Sequence, residues 1–323
     1  MALNERALIE RFFSHCGARR ADVPLGVGDD AALLDCPPDM QLVAAMDTLV
    51  SGVHFLPNSP PESIGHRALA VNLSDIAAMG ARPAWALLAL TLPKVEEPWL
   101  EGFAAGLDAL ARQHDVALVG GDTTSGPLCI TVQILGHAPR PPAMLRSGGK
   151  AGDILFVSGT PGDAGAGLAL ELGKLEGATA EAAAYLRNRF LFPTPRIELG
   201  LRLRAHASAC IDVSDGLLGD AGKLADASRC GVSLAYELLP ISAHLASAAG
   251  DARAREFALT GGDDYELCFA VPPGNVERMM RDLPPDQWGY SRIGVLHDAP
   301  GSFVRRAGTV MDFSHSGFDH FGA

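Results

Sequence analysis

Aspartates at the ends of apolar runs are the residues of this 323-residue chain most able to do chemistry. They occur in the segments GVGDDAALL, LVAAMDTLV, NLSDIAAMG, VGGDTT and DVSDG. The carboxylates concerned are Asp30, Asp47, Asp75, Asp122, Asp212 and Asp215. Because α/β folds collect their sites at strand ends, we expect these side chains to converge. Asp29, next to the first of them, is expected to cap the local backbone instead.

Few basic residues lie near these acids in the sequence, so a shared site would be repulsive unless cations occupied it. Carboxylate oxygens are hard ligands that select Mg²⁺ or Mn²⁺ over zinc or copper. Magnesium held by one or two carboxylates, with phosphate oxygens completing the shell, is typical of nucleotide sites. The series therefore indicates a nucleotide bound through metal ions. The alternative is that single members are turn or helix caps, and Asp75 could simply pair with Asn72 at i,i+3.

Glycine-rich loops give a weaker signal. The segment ILFVSGTPGDAGAGLALELG predicts a strand, a turn and a helix, which could present backbone N–H groups to an anion. Packing between the helix and the strand explains these glycines equally well. Two phosphate-binding patterns are missing. The P-loop pattern GxxxxGK[ST] does not match because Lys150 is followed by Ala151, and the pattern GxGxxG does not match because Leu170 occupies its last glycine position.

The chain is long enough for two α/β domains. Apolar runs predict strands at 41–46, 85–92, 117–119, 128–135 and 154–157. The clearest helical patterns in the first half are 64–79 and 98–113. A stretch rich in proline and glycine at 137–150 predicts the domain boundary, which we place at residue 148, giving domains 1–148 and 149–323.

Charge and composition exclude several classes of protein. A net charge of -12 argues against a nucleic-acid partner. The six cysteines contain no CxxC pair, so they indicate core thiols in a reducing cytosol. The first residues lack the features of a secretory signal, and the longest apolar stretch, 84–92, is too short to span a bilayer. A cytoplasmic protein with no membrane partner is expected.

Seven segments in order give a more specific indication. GVGDDAALL, DTLVSGVHF, NLSDIAAMGA, VGGDTT, DVSDGL, GGDDYEL and GFDHF resemble the motifs of thiamine-monophosphate kinases over nearly the whole chain. That family belongs to a wider ATP-binding superfamily that includes aminoimidazole ribonucleotide synthetase and selenophosphate synthetase. The resemblance implies an α/β (α+β) fold in which the N-terminal sheets of two subunits pair into a barrel across a homodimer. It implies that the N-terminal domain binds ATP and Mg²⁺, and that the C-terminal α/β domain has a mixed sheet.

The same resemblance implies roles for individual residues. The metal ligands would be the six aspartates named above. The ATP contacts would be Gly121, Asp122, Arg146 and Ser214, and the contacts to thiamine phosphate would be His54, Asp263 and Phe318. Each has an ordinary alternative: a solvated linker for Arg146, a turn residue for Asp263, a terminal anchor for Phe318, and a surface or core residue for His54.

The implied reaction is direct in-line transfer of the γ-phosphoryl group from ATP to thiamine phosphate, giving thiamine diphosphate without a phosphoenzyme. No catalytic general base is assigned, because a phosphate monoester with a second pKa near 6 is already largely deprotonated at pH 7. Two rivals remain open. One is a ligase-type relative of the same superfamily, and the other is a non-catalytic regulator that binds metal or nucleotide.

Overall fold

The computed structural model describes residues 4–140, 144–313 and 317–318. The chain forms two compact units, Met1–Ile76 with Ala81–Pro142 and Ala77–Gly80 with Ala143–Ala323, called here the first and second units. The expected two-domain α/β architecture is confirmed. The division between the main segments falls inside the proline-rich and glycine-rich stretch 137–150.

The first unit is built on a four-stranded sheet. Its elements are α1 (Glu5–Phe12), β1 (Met40–Val50), α2 (Pro61–Ala78), β2 (Arg82–Leu92), α3 (Glu97–Gln113), β3 (Ala117–Ser125) and β4 (Cys129–Pro139), the last two residues of α2 belonging to the second unit. The strand order is β1-β4-β2-β3, with β4 antiparallel to both neighbours and β3 parallel to β2. The sheet is open in the described residues, with β1 and β3 at its edges. The predicted helices at 64–79 and 98–113 are confirmed as α2 and α3.

Burial along the strands explains how this sheet packs. The exposure of β1 alternates residue by residue, as a strand with one covered face requires. The central strands β2 and β4 are more deeply buried. On α3, Leu100, Phe103 and Leu107 recur at helical spacing and are fully buried. These apolar positions form the core of the first unit.

Two glycines allow α2 and α3 to approach each other unusually closely. A Cβ on Gly65 would lie 1.9 Å from the carbonyl oxygen of Phe103, and a Cβ on Gly106 would lie 1.9 Å from that of Glu62. No side chain fits at either distance. The backbone contact therefore fixes how α2, which carries Asp75, lies against α3.

The second unit contains a seven-stranded mixed sheet in the order β11-β10-β7-β9-β5-β8-β6, with β10 parallel to β7. Its strands are β5 (Ile154–Ser158), β6 (Ala209–Val213), β7 (Gly231–Ala235), β8 (Glu266–Val271), β9 (Tyr290–His297), β10 (Ser302–Arg306) and β11 (Thr309–Met311). Its helices are α4 (Asp163–Glu171), α5 (Ala180–Leu191), α6 (Ile197–Leu203), α7 (Leu217–Ala227), α8 (Ala243–Ala249), α9 (Asp251–Thr260), α10 (Pro273–Asp282) and α11 (Pro285–Trp288), with a 3₁₀ turn at Tyr236–Leu238. None of the helices in the described part of the chain has the length and apolar character needed to cross a membrane.

The contact between α2 and α3 gives a first prediction. Gly106→Ala is expected to lower the free energy of unfolding by about 1–3 kcal/mol, because the added methyl group must push two backbones apart. Chemical denaturation measures the change. Gly274→Ala on α10 is the matched control, since nothing lies within 4 Å of the added atom and the substitution should be neutral or stabilising by up to about 1 kcal/mol. Equal stability of wild type and Gly106→Ala would contradict the packing described here.

Candidate active site

A contact between strand β1 and helix α2 joins the segments that carry two of the predicted residues, Asp47 and Asp75. The backbone N–H of Asp47 donates to Oδ1 of Asn72 at 3.2 Å. Asn72 is fully buried, and its Nδ2 donates to the carbonyl oxygen of Ala68 at 3.0 Å. Asp75 follows Asn72 by three residues, so it lies on the same side of α2. The buried amide of Asn72 thus fastens the Asp47 segment to the helix that carries Asp75.

Gly121 and Asp122 lie inside β3, because the strand continues to Ser125 and does not end at residue 119 as predicted. A Cβ on Gly121 would lie 1.8 Å from the carbonyl oxygen of Leu88, and the backbone φ of Gly121 is 150°. Only glycine fits here, because both the space and the conformation exclude a side chain. In the parallel ladder Asp122 pairs with Ala89 of β2, and its side chain is exposed.

Asp30 and Asp122 both line a cavity of about 1060 Å³ within the first unit. It lies between α1, the segment around residues 27–32 and the sheet, to which β1 contributes Met46. Its lining includes Gly120 and Gly121 of β3. It also includes apolar residues of α1, of the position after α1 and of the sheet, among them Ile9, Phe13, Leu87 and Leu118. A concave, mainly apolar space with a few convergent polar groups is the usual form of a small-molecule site. Of the described residues, Asp47 and Asp75 do not line it.

Two further predicted positions lie near the ends of these elements. Asp29 accepts a hydrogen bond from the N–H of Asp30 at 2.8 Å, which confirms that it caps the local backbone. His54 follows β1 in a turn, and its Nδ1 accepts from the N–H of Val50 at 3.0 Å. That bond fixes the orientation of the ring and makes Nδ1 an acceptor.

In the second unit, a turn of three residues, Ser214 to Gly216, carries one predicted metal ligand, Asp215, and one predicted ATP contact, Ser214. It follows β6, on which Asp212 is buried, and it leads into α7. Oδ2 of Asp220 accepts from the N–H groups of Ser214, Asp215 and Gly216 at 3.0, 3.0 and 3.3 Å. Burial raises the pKa of Asp220, and the neighbouring ammonium of Lys223 opposes that rise.

Asp263 and Phe318 are held against the same turn. The N–H of Asp263 donates to the carbonyl oxygen of Ser214 at 2.8 Å, and the N–H of Phe318 donates to that of Asp215 at 2.9 Å. Asp263 has a positive φ of 70°, and so does Tyr265 at 52°. A left-handed backbone conformation costs free energy at residues other than glycine, so it persists only where surrounding contacts enforce it.

The glycine-rich segment after β5 does not leave its helix N-terminus open to an external anion. Oδ2 of Asp264 accepts from Gly162 N at 2.7 Å, and Oδ1 accepts from Ala164 N at 3.2 Å. Asp264 is buried, and burial raises its pKa well above the usual aspartate value while those two donors oppose the rise. This side chain therefore occupies the position that a phosphate would take. Arg146, the other predicted phosphate contact, is exposed in the segment before β5.

Behind this loop, Glu266 at the start of β8 is fully buried among cationic and hydroxyl groups. It accepts from Arg189 at 2.8 Å, from Nε of Arg196 at 2.6 Å and from Oγ of Ser158 at 2.5 Å. Burial would raise the pKa of Glu266, but the charge and hydrogen bonds of Arg196, together with Arg189, outweigh it and lower the pKa. Glu266 is therefore a buried carboxylate in an ion-pair network.

Comparison with known proteins identifies the family to which the chain belongs. Models of AIR synthase related protein match twice, the N-terminal domain over residues 28–138 and the C-terminal domain over residues 150–306. Thiamine-monophosphate kinase of Salmonella typhimurium is 48% identical over 324 residues, which cover 99% of both chains. The chain belongs to the thiamine-monophosphate kinase family. The family and enzyme class predicted from the sequence are confirmed.

Solved structures of thiamine-monophosphate kinases have the same fold. The crystal structure of the enzyme from Stenotrophomonas maltophilia matches with a TM-score of 0.83 and 45% identity, covering 96% of this chain and 99% of that one. A structure of AaThiL complexed with AMPPCP and TMP matches with a TM-score of 0.78 and 33% identity, covering 91% and 92%. In the present chain, no group of three or more His, Cys, Asp or Glu among the described residues is arranged to hold a metal ion.

Three buried acids of the second unit, which hold its loops and an ion-pair network, were not among the residues predicted from the sequence. Asp220, Asp264 and Glu266 are all buried, and each accepts several hydrogen bonds. A usable signal existed for Asp220, because Lys223 follows it at the i,i+3 spacing of a helix. Glu266 stands at the head of the apolar run ELCFAV, where an acid needs a partner.

The Glu266 network gives a second prediction for this member of the family. Glu266→Gln is expected to reduce the free energy of unfolding by roughly 3 kcal/mol at pH 7, because it leaves two arginines without their counter-charge. Since the folded pKa is lowered, the contribution is fully present above the unfolded pKa of about 4.3 and is lost as the pH falls through the folded value. Urea denaturation at several pH values measures it.

Glu171→Gln is the matched control, because Glu171 pairs with Arg187 at a partly exposed position and should cost at most about 1 kcal/mol. Equal losses in the two variants would contradict the buried-network interpretation.

Proposed function

We propose that the protein phosphorylates thiamine phosphate to thiamine diphosphate, with ATP as the phosphoryl donor. The observation that carries this proposal is the 48% identity to a thiamine-monophosphate kinase over 99% of both chains. The match to AaThiL complexed with AMPPCP and TMP supports the choice of ATP and thiamine phosphate as the two substrates.

The cavity of the first unit is proposed to take ATP. Its volume of about 1060 Å³ is ample for a nucleotide, and its apolar lining suits a base. Gly121 brings the backbone of β3 to the cavity without a side chain, and Asp122 places a carboxylate there. These two residues are the proposed ATP contacts of the first unit.

The carboxylates suit Mg²⁺ by their chemistry. Oxygen donors are the ligands of magnesium, and one or two carboxylates usually suffice because waters and phosphate oxygens complete the shell. Asp30 and Asp122 line one cavity, and Asp47 and Asp75 share one junction with Asn72. These four, with Asp212 and Asp215 of the second unit, are the proposed ligands. Magnesium bound there would neutralise phosphate oxygens and hold them in line.

Residues of the second unit are proposed to contact the phosphates and the acceptor. The exposed guanidinium of Arg146 has the fork geometry that suits phosphate oxygens. Ser214 keeps a hydroxyl on the turn that Asp220 holds, and Asp263 adds a negative charge suited to the cationic rings of thiamine. Phe318 is half-exposed and offers an aromatic face for stacking, while His54 of the first unit is a further substrate contact.

The mechanism that follows is direct in-line transfer, with side chains that bind and orient rather than exchange protons. A phosphate monoester is largely a dianion at pH 7, so it can attack without a general base. What limits the reaction is bringing two anions together in line, and the guanidinium of Arg146 is proposed to contribute to that by binding phosphate oxygens. No residue is assigned as a base.

The proposal extends to assembly and location. Met40 and Leu42 on β1 are 36% and 55% exposed, and β1 is an edge strand in the described residues. Exposed apolar residues on an unpaired edge favour pairing with a second copy, which supports the barrel of a homodimer.

All six cysteines are free, which fits a reducing cytoplasm.

An assay of purified protein with ATP, Mg²⁺ and thiamine phosphate tests the function. We expect thiamine diphosphate and ADP to form in equal amounts, and free thiamine to be a poor acceptor. Turnover of ATP only with another acceptor would favour a ligase-type relative, and no turnover at all would favour a binding protein. A phosphoenzyme trapped with labelled ATP would overturn direct transfer.

Removing single carboxylates tests the proposed ligands. Asp75→Asn and Asp122→Asn are each expected to lower kcat by about 10²-fold or more, because electrostatic stabilisation of transferring phosphate is a large part of catalysis. Their melting temperatures should stay near that of wild type. Asp39→Asn, an exposed position before β1, is the matched control and should retain full activity. Normal turnover by both test variants would refute the assignment.

A further inference from the structure

The turn Ser214 to Gly216 is held from its N–H side by one buried carboxylate. Asp220 is 1% exposed, and its Oδ2 accepts all three N–H groups of the turn. Its other oxygen, Oδ1, accepts from Nζ of Lys223 at 2.8 Å. A side chain with this many partners has little freedom. The turn therefore cannot shift without breaking several hydrogen bonds to Asp220.

Nζ of Lys223 also contacts Oδ2 of Asp215 at 2.5 Å. One ammonium group thus joins the buried Asp220 to Asp215, which is partly exposed. The pairing neutralises part of the repulsion between the two acids and orients the carboxylate of Asp215.

The carbonyl oxygens of the same turn bind the two segments that carry the predicted substrate contacts of the second unit. The N–H groups of Asp263 and Phe318 donate to the carbonyl oxygens of Ser214 and Asp215. Tyr265 continues this pairing, since its N–H donates to Val213 O at 2.8 Å and its hydroxyl lies 3.3 Å from Oδ1 of Asp263. The strained backbone at Asp263 and Tyr265 is thus fixed by bonds to the turn and to the end of β6.

Glycines make this assembly tight. A Cβ on Gly262 would lie 2.6 Å from the carbonyl oxygen of Ser214, and a Cβ on Gly317 would lie 2.5 Å from that of Asp215. Gly317 also has a positive φ of 149°. The chain can therefore approach the turn only where side chains are missing, so displacement of the turn would displace Asp263 and Phe318 as well.

We propose that Asp220 is a positioning residue for the reaction, which fixes the turn that orders Ser214, Asp215, Asp263 and Phe318, and that Lys223 ties Asp215 to it. This inference rests on the proposed function, because it deepens the role of residues assigned there. Asp220 itself contacts neither substrate, since its oxygens are committed to the turn and to Lys223.

A graded series of variants tests the proposal. Asp220→Asn keeps an oxygen that can accept N–H groups, whereas Asp220→Ala keeps none. We expect kcat to fall by about tenfold in the first and about 10²-fold in the second, because a displacement near 1 Å costs that much. The KM for thiamine phosphate should rise in the same order. Asp226→Asn, exposed near the end of the same helix, is the control and should match wild type.

The KM separates positioning from a loss of folded protein. A purely structural role would reduce the fraction of active molecules and leave KM unchanged at temperatures well below melting. Wild-type KM for thiamine phosphate in both Asp220 variants, at any kcat, would overturn the proposal.

Lys223→Met tests the second part of the proposal, because it removes the ammonium that joins Asp215 to Asp220 and leaves the three N–H bonds of the turn in place. The Mg²⁺ concentration for half-maximal rate is expected to fall at least about twofold, since no ammonium then competes at Asp215. An unchanged Mg²⁺ dependence would contradict the tie between Lys223 and Asp215.

Hydrogen–deuterium exchange keeps this test separate from the test of function. The amides of residues 214–216 should exchange slowly in wild type and at least about tenfold faster in Asp220→Ala. If exchange is fast in Asp220→Ala but the wild type has no activity, the turn is held as described and the assigned substrates are wrong. Slow exchange in Asp220→Ala would mean that Asp220 does not hold the turn.

Discussion

A carboxylate that leaves water must find N–H donors or a cation, and this constraint organises the protein. The deeply buried acids Asp220, Asp264 and Glu266 satisfy it with partners from their own unit. The exposed acids Asp30 and Asp122 line an open cavity instead. These three acids are therefore committed to internal partners, whereas Asp30 and Asp122 face the cavity. The former support turns and helix ends, and the latter face a space large enough for a ligand.

Glycine has a complementary role, because it lets backbones meet where a side chain would prevent it. Gly121 brings β3 against β2 beside Asp122, and Gly262 and Gly317 bring two segments against the turn that Asp220 holds. Close backbone contact leaves few ways for these segments to move independently. Rigid placement of this kind is what phosphoryl transfer demands, since its catalysis is mostly positioning and electrostatics.

The sequence predicts local elements and motifs better than the supporting contacts. Helices α2 and α3 were predictable because their apolar residues recur with helical spacing and Pro98 marks a start. The family was predictable because several motifs stand in order along the chain. The role of Asp264 was not, because it depends on two amides about a hundred residues away. The glycine-rich loop that suggested an anion site is occupied by that side chain, which no local pattern reveals.

A crystal structure of the protein with Mn²⁺, a non-hydrolysable ATP analogue and thiamine phosphate tests the central claim most directly. Manganese prefers the same oxygen ligands as magnesium, and its anomalous signal identifies each bound ion. The account predicts metal at Asp30 and Asp122, with Asp220, Asp264 and Glu266 keeping the hydrogen bonds they have here. Metal bound to any of those three buried acids, or no metal at Asp30 and Asp122, would contradict it.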